Sequence, residues 1–167
     1  MLTPGRRAAF ESAVSANFND LYRFAYWLSR NRWHAEDVLQ ESLLRAWRGW
    51  AGVREERAVR AWFFTIVRRE FYRMRPQFPQ GEPQADAIDP AFETDPASSI
   101  DMANALRGLA DDSREALLMQ VLGGFTCAEI SAAIGASEGA VMARLTRARQ
   151  AMRGRLERAD LKLARQA

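Results

Sequence analysis

The sequence predicts an all-α protein: two small helical domains joined by a flexible, acidic, proline-rich linker, the second domain a helix-turn-helix. Three observations carry this. Apolar residues recur at helical spacing through residues 1–75 and again from residue 126, with no alternating strand pattern. Pro76, Pro79, Pro83, Pro90 and Pro96 crowd one stretch that a helix cannot cross. Near the C-terminus a capping signature, a glycine turn and an arginine-rich helix follow one another. The expected divisions are residues 1–75, a linker over 76–100, and residues 101–167.

The first domain reads as three or four helices. One runs from about Arg6 to Val14. Leu21, Phe24, Ala25 and Leu28 mark an apolar stripe, and Val38, Leu39, Leu43, Ala46, Trp47 and Trp50 a second. Trp62, Phe63, Ile66, Val67, Phe71 and Met74 mark a third, stopped by Pro76. Such stripes are buried only against one another, so a compact bundle follows.

Two stretches of this domain ask for more than packing. Asp37, Gln40, Glu41 and Arg45 lie three or four residues apart and share a face away from Leu39 and Leu43. A merely solvated charged face has the same pattern. Between Arg60 and Arg75, aromatics interleave with Arg60, Arg68, Arg69 and Arg73. That mixture suits single-stranded DNA, with bases stacked on rings and phosphates on guanidinium groups. Most of those rings are expected in the core, leaving one or two to reach a base.

Charge is divided as the domains are. Residues 1–75 hold 14 Lys/Arg and 8 Asp/Glu, a net +6; residues 76–100 hold five acids and no base, a net −5; residues 101–167 hold 10 and 8, a net +2. Two basic modules on an acidic strap suit two nucleic-acid contacts joined by a linker. Phe78, Ile88, Phe92 and Ile100 are too sparse to give the strap a core.

The helix-turn-helix is read residue by residue. Thr126 and Glu129 form a T-x-x-E capping box that starts the first helix. Ile130, Ala133 and Ile134 give it an apolar face, and Gly135 ends it. Ser137 caps the second helix. Val141, Leu145, Ala148 and Met152 repeat inward, while Arg144, Thr146 and Arg147 are placed outward. Arginine there binds phosphate or forks onto guanine, which names duplex DNA as a partner.

Several classes are excluded. No apolar run is long enough to span a membrane, and no signal peptide follows Met1. The single cysteine, Cys127, forms no internal disulfide; with the lone His34 it has no ligand cluster, so no metal and no cofactor is expected. No paired carboxylates, nucleophile–base pair or phosphate loop stands out, so no catalytic residue is assigned.

At this point the whole chain, from about Phe10 to Leu156, resembles a bacterial RNA polymerase sigma factor of the extracytoplasmic-function (ECF) class, minimal two-domain form. Ala35-Glu36-Asp37-Val38-Leu39-Gln40-Glu41 with Leu44-Arg45-Ala46-Trp47 is similar to that family's region 2.2. Arg60 to Arg75 is similar to regions 2.3 and 2.4, and Arg114-Glu115-Ala116-Leu117-Leu118 through Arg149 to region 4.

The resemblance implies roles. Asp37, Gln40, Glu41 and Arg45 would dock on the clamp helices of the largest polymerase subunit. The segment from about Trp50 to Val59 would capture a flipped base of the −10 element. Arg60, Trp62, Arg68, Arg69 and Arg73 would hold the melted non-template strand. The helix-turn-helix would read the −35 element, through Thr126, Ser137, Arg144, Thr146, Arg147 and Arg149. The linker would thread toward the active-site cleft and RNA exit path. An anti-sigma factor, often membrane-anchored, would hold the protein in check in the cytoplasm.

The chain also departs from the family pattern. Gly139-Ala140-Val141-Met142-Ala143-Arg144 stands where many members have Gly-Thr-Val-Lys/Arg-Ser-Arg, which implies weaker or more shape-dependent −35 readout. Glu70 stands where many have asparagine, and Cys127 where an aromatic is usual. The alternatives are a helix-turn-helix regulator with a dimer face and ligand pocket, and a sigma-like decoy that titrates an anti-sigma factor.

Overall fold

The computed structural model describes residues 4–52, 56–79 and 96–166. Among them are seven α-helices, two short 3-10 turns and no strand. They divide into two compact units, the first within residues 1–85 together with 122–124, the second residues 86–121 and 125–167. No described helix is long and apolar enough to cross a membrane.

In the first unit α1 (Pro4–Ser29), α2 (Arg32–Gly49) and α3 (Glu56–Met74) pack pairwise into a three-helix bundle. The two segments expected before residue 30 are one helix of 26 residues. Both its ends are anchored in the bundle. Phe10 meets Trp47 and Trp50 at ring-centroid distances of 5.0 and 5.3 Å. Fourteen residues on, Phe24 meets Phe64 at 4.9 Å. The corner to α2 is tight. Arg30 takes a left-handed φ of 55°, and Asn31, extended at φ −146°, caps α2 by accepting from the His34 backbone N–H at 3.1 Å. The left-handed residue carries a Cβ and costs about 1 kcal/mol, which the bundle on either side overrides.

The core comprises Leu21, Phe24, Ala25 and Trp27 of α1, Val38, Leu39 and Ala46 of α2, and Phe63, Phe64, Val67 and Phe71 of α3. Burying one such aliphatic or aromatic side chain contributes about 1.5–3 kcal/mol. Leu28, Leu43, Trp47, Trp62 and Ile66 of the expected stripes are half-buried instead. α3 gives way to a 3-10 turn over Arg75–Gln77, where Pro76 removes the N–H the helix would need.

In the second unit α4 (Pro96–Arg107), α5 (Asp111–Val121) and α6 (Cys127–Ile134) each pack on α7 (Glu138–Gln166). α4 begins at Pro96, so the last five residues of the stretch read as linker are helical: proline is well suited to a first helical position. Linker residues 80–95 lie outside the described residues. Ala103, Leu106, Leu109, Ala116, Met119, Phe125, Ile130, Val141, Leu145 and Ala148 form the core. Arg114 is buried among them; its Nη1 donates to the Leu109 carbonyl at 3.0 Å and its Nη2 to Asp111 Oδ1 at 2.6 Å. A buried guanidinium is tolerated only when its donors are answered in this way.

Candidate functional site

Three surfaces carry the residues singled out above. The first is the outer face of α2. Ala35, Val38, Leu39, Ser42 and Ala46 turn inward, so helical geometry turns Asp37 and Gln40 outward, and both are exposed. Trp33, 62% exposed, and Leu44, 47% exposed, lie on the same stripe at spacings of four and seven about these two. Sequence reasoning missed this apolar pair, although the spacing 33, 37, 40, 44 was there to be read.

Glu41 and Arg45 sit at the margin of that face, turned toward α3. Arg45 Nε lies 2.7 Å from Glu70 Oε1 as an ion pair, and Arg73 Nε donates to Glu70 Oε2 at 2.8 Å; Arg73 also lies 3.9 Å from Glu41. Glu70 is only 4% exposed. One buried carboxylate therefore joins the arginine at the margin of the α2 face to an arginine of α3, a tie between helices.

The second surface is the outer side of α3. Trp62, Arg69 and Arg73 lie near one line along the helix; Arg69 and Arg73 are exposed and Trp62 half-buried. Trp62 belongs to the aromatic cluster at this end of the bundle, 5.4 Å from Phe63 and 6.1 Å from Trp50. Beside the line, the Arg68 guanidinium lies 4.8 Å from the ring centre of Tyr72, an exposed aromatic that sequence reasoning left unnamed. Arg60 lies elsewhere. It faces α1, where its Nη1 donates to Asn17 Oδ1 at 2.9 Å and its Nη2 to Asp20 Oδ2 at 2.6 Å, and its guanidinium covers Phe64. Of the Trp50–Val59 segment, Trp50–Gly52 is a 3-10 turn and residues 53–55 lie outside the described residues.

The third surface is the helix-turn-helix of α6 and α7. Both halves of the capping box form. Thr126 Oγ1 accepts from the Glu129 backbone N–H at 3.2 Å, and Glu129 Oε2 accepts from the Thr126 backbone N–H at 2.7 Å and from its hydroxyl at 2.9 Å. The Thr126 backbone N–H, then its hydroxyl, hold the Glu129 carboxyl below the usual carboxylate range. Gly135 ends α6 in the left-handed region at φ 69°. Ser137 Oγ caps α7 by accepting from the Ala140 backbone N–H at 3.2 Å.

Val141, Leu145 and Ala148 of α7 are buried, and the opposite side exposes Met142, Ala143, Thr146, Arg147 and Gln150. Arg144 and Arg149 flank the buried seam, and α5 holds each of them. Arg144 Nε pairs with Asp112 Oδ2 at 3.2 Å, and Arg149 Nη2 donates to Gln120 Oε1. Among the described residues Arg147 has no ion-pair partner. No described group of histidine, cysteine or acidic residues could hold a metal ion.

The chain matches the family model for Sigma-70 region 2 over residues 13–76, and that for Sigma-70 region 4 over residues 99–152. It is 31% identical over 160 residues to the ECF RNA polymerase sigma factor SigL of Mycobacterium tuberculosis, covering 87% of this chain and 90% of the relative. It is 30% identical over 150 residues to SigM of the same organism, covering 87% and 76%. Among solved structures it is similar to the sigma factor RpoE of Bartonella quintana, determined with the anti-sigma factor NepR. That match has a TM-score of 0.73 and 29% identity, and covers 89% of this chain and 97% of that one.

Proposed function

This chain belongs to the family of ECF RNA polymerase sigma factors, and on that premise we propose how its residues divide the work of promoter-directed initiation. A sigma factor binds core polymerase, directs it to promoters and helps to melt the −10 element. The observation that carries the reading is the order of parts: a region 2 bundle and a region 4 helix-turn-helix, each a separate helical unit on one chain.

The α2 face docks on the polymerase clamp. Asp37 and Gln40 supply polar specificity at its centre, and Glu41 and Arg45 border it. The outer side of α3 holds the melted non-template strand, with Arg69 and Arg73 on phosphates and Trp62 and Tyr72 available for stacking. Arg68 keeps its place beside Tyr72. Arg60 acts at a distance, by fixing α3 to α1. Along α7, Arg147 and Thr146 face the −35 duplex, flanked by Arg144 and Arg149; Thr126 and Ser137 contribute by setting the two helix starts.

The partners are core polymerase and promoter DNA, both cytoplasmic, and the protein has no catalytic chemistry or cofactor of its own. An anti-sigma factor opposes core binding, as the pairing of RpoE with NepR illustrates for a related chain. The test is reconstitution. Purified chain is expected to co-elute with core polymerase, and the complex to render thymines of the −10 region permanganate-sensitive. A chain that binds −35 duplex as a free dimer and leaves core polymerase unbound would contradict the assignment.

A further inference from the structure

Resting on the assignment of α7 to the −35 duplex, we propose that Asp112 is a positioning residue for DNA readout: its carboxylate aims the Arg144 guanidinium. Asp112 lies in the first turn of α5, where the helix N-terminus favours a carboxylate. Its Oδ2 meets Arg144 Nε at 3.2 Å. Arg144 meets the carboxylate through Nε, and its two Nη groups make no hydrogen bond among the described residues, so their N–H donors are left to serve a guanine edge or a phosphate. The Arg144 side chain is 26% exposed. It is therefore already partly desolvated and held, so binding removes less of its rotamer freedom than it would from a fully exposed arginine.

This role matters more here than in a chain with a polar recognition helix. Met142 and Ala143 offer no side-chain donor toward a base, so readout falls on the arginines that remain. Of these, Arg147 has no ion-pair partner among the described residues, whereas Arg144 is oriented from behind. The opposite reading is a simple Coulomb one: a carboxylate beside a DNA-facing arginine repels phosphate and competes for the guanidinium. The two readings predict opposite signs for one substitution.

The experiment uses holoenzyme reconstituted from core polymerase and the full chain, on promoter duplexes randomised across the −35 element. It compares wild type with Asp112→Ala, Asp112→Asn, Arg144→Ala and the Asp112→Ala/Arg144→Ala pair. Circular dichroism checks that helicity is unchanged. Asp112→Ala is expected to weaken binding about two- to fivefold and to broaden base preference at the position that Arg144→Ala also broadens. Asp112→Asn, which keeps an acceptor oxygen without the charge, is expected to restore most of that preference. In the Arg144→Ala background, Asp112→Ala is expected to add nothing. The proposal is overturned if Asp112→Ala tightens binding, or leaves base preference intact while Arg144→Ala changes it. If Arg144→Ala itself leaves −35 preference unchanged, the placement of Arg144 at the DNA fails, and the positioning role fails with it.

Discussion

Glu129 and Glu70 show one kind of side chain in two settings. Glu129 is exposed and closes the capping box of α6. Its folded pKa lies below its unfolded value, so the stabilisation is present above about pH 4.3 and is lost as pH falls through the folded value. Glu129→Ala is accordingly expected to melt earlier than the parent at neutral pH, with the gap closing below about pH 4; thermal unfolding at several pH values reads this. Glu70 is buried and answered by two arginines from different helices. Glu70→Ala leaves Arg45 and Arg73 without their acceptor, and is expected to destabilise the first unit by about 1–3 kcal/mol in denaturant melts. Glu70→Gln, which keeps the acceptor, costs less.

At the scale of elements, α2 and α7 each divide into a buried seam and an exposed face. The pairing of Asp37→Arg with Glu41→Arg is expected to abolish co-elution with core polymerase while leaving the helical melting curve close to that of the parent. Asp37 is exposed and Glu41 lies at the margin of the face, so neither holds up the core. Retained affinity for core would refute the docking face. On α7, Arg147→Ala is expected to weaken −35 binding by about 1–3 kcal/mol, read as loss of the footprint over that element.

Much of this was legible in the sequence, because a 3.6-residue period records which side of a helix is buried. Leu21, Val38, Phe63 and Val141 all lie where that period puts them. The caps at Thr126 and Ser137 were legible too, being local in sequence. What was not legible depends on partners far along the chain. Arg60 turning to Asp20, Arg45 turning to Glu70 and Arg144 turning to Asp112 are tertiary choices that no spacing rule encodes. The fusion of two expected helices into α1 is another: Phe10 and Phe24 are anchored by rings from α2 and α3, not by anything within α1.

Across the whole molecule, two units carry separate grips; residues 76–100 hold five acids and no base. The two grips are unequal in character. The α3 surface combines exposed arginine with accessible rings, whereas the α7 face presents Met142, 59% exposed, and Ala143 in its second turn. Promoter choice is therefore expected to lean on the −10 element, with the −35 element contributing through arginine and DNA shape. The most direct test is transcription in vitro by core polymerase, with and without the purified chain, on a library randomised at both elements. Transcripts are expected only when the chain is present, from templates sharing a sharply defined −10 motif and a softer −35 motif at fixed spacing. Transcripts unchanged by the chain, or repressed by it, would overturn its assignment as an initiation factor.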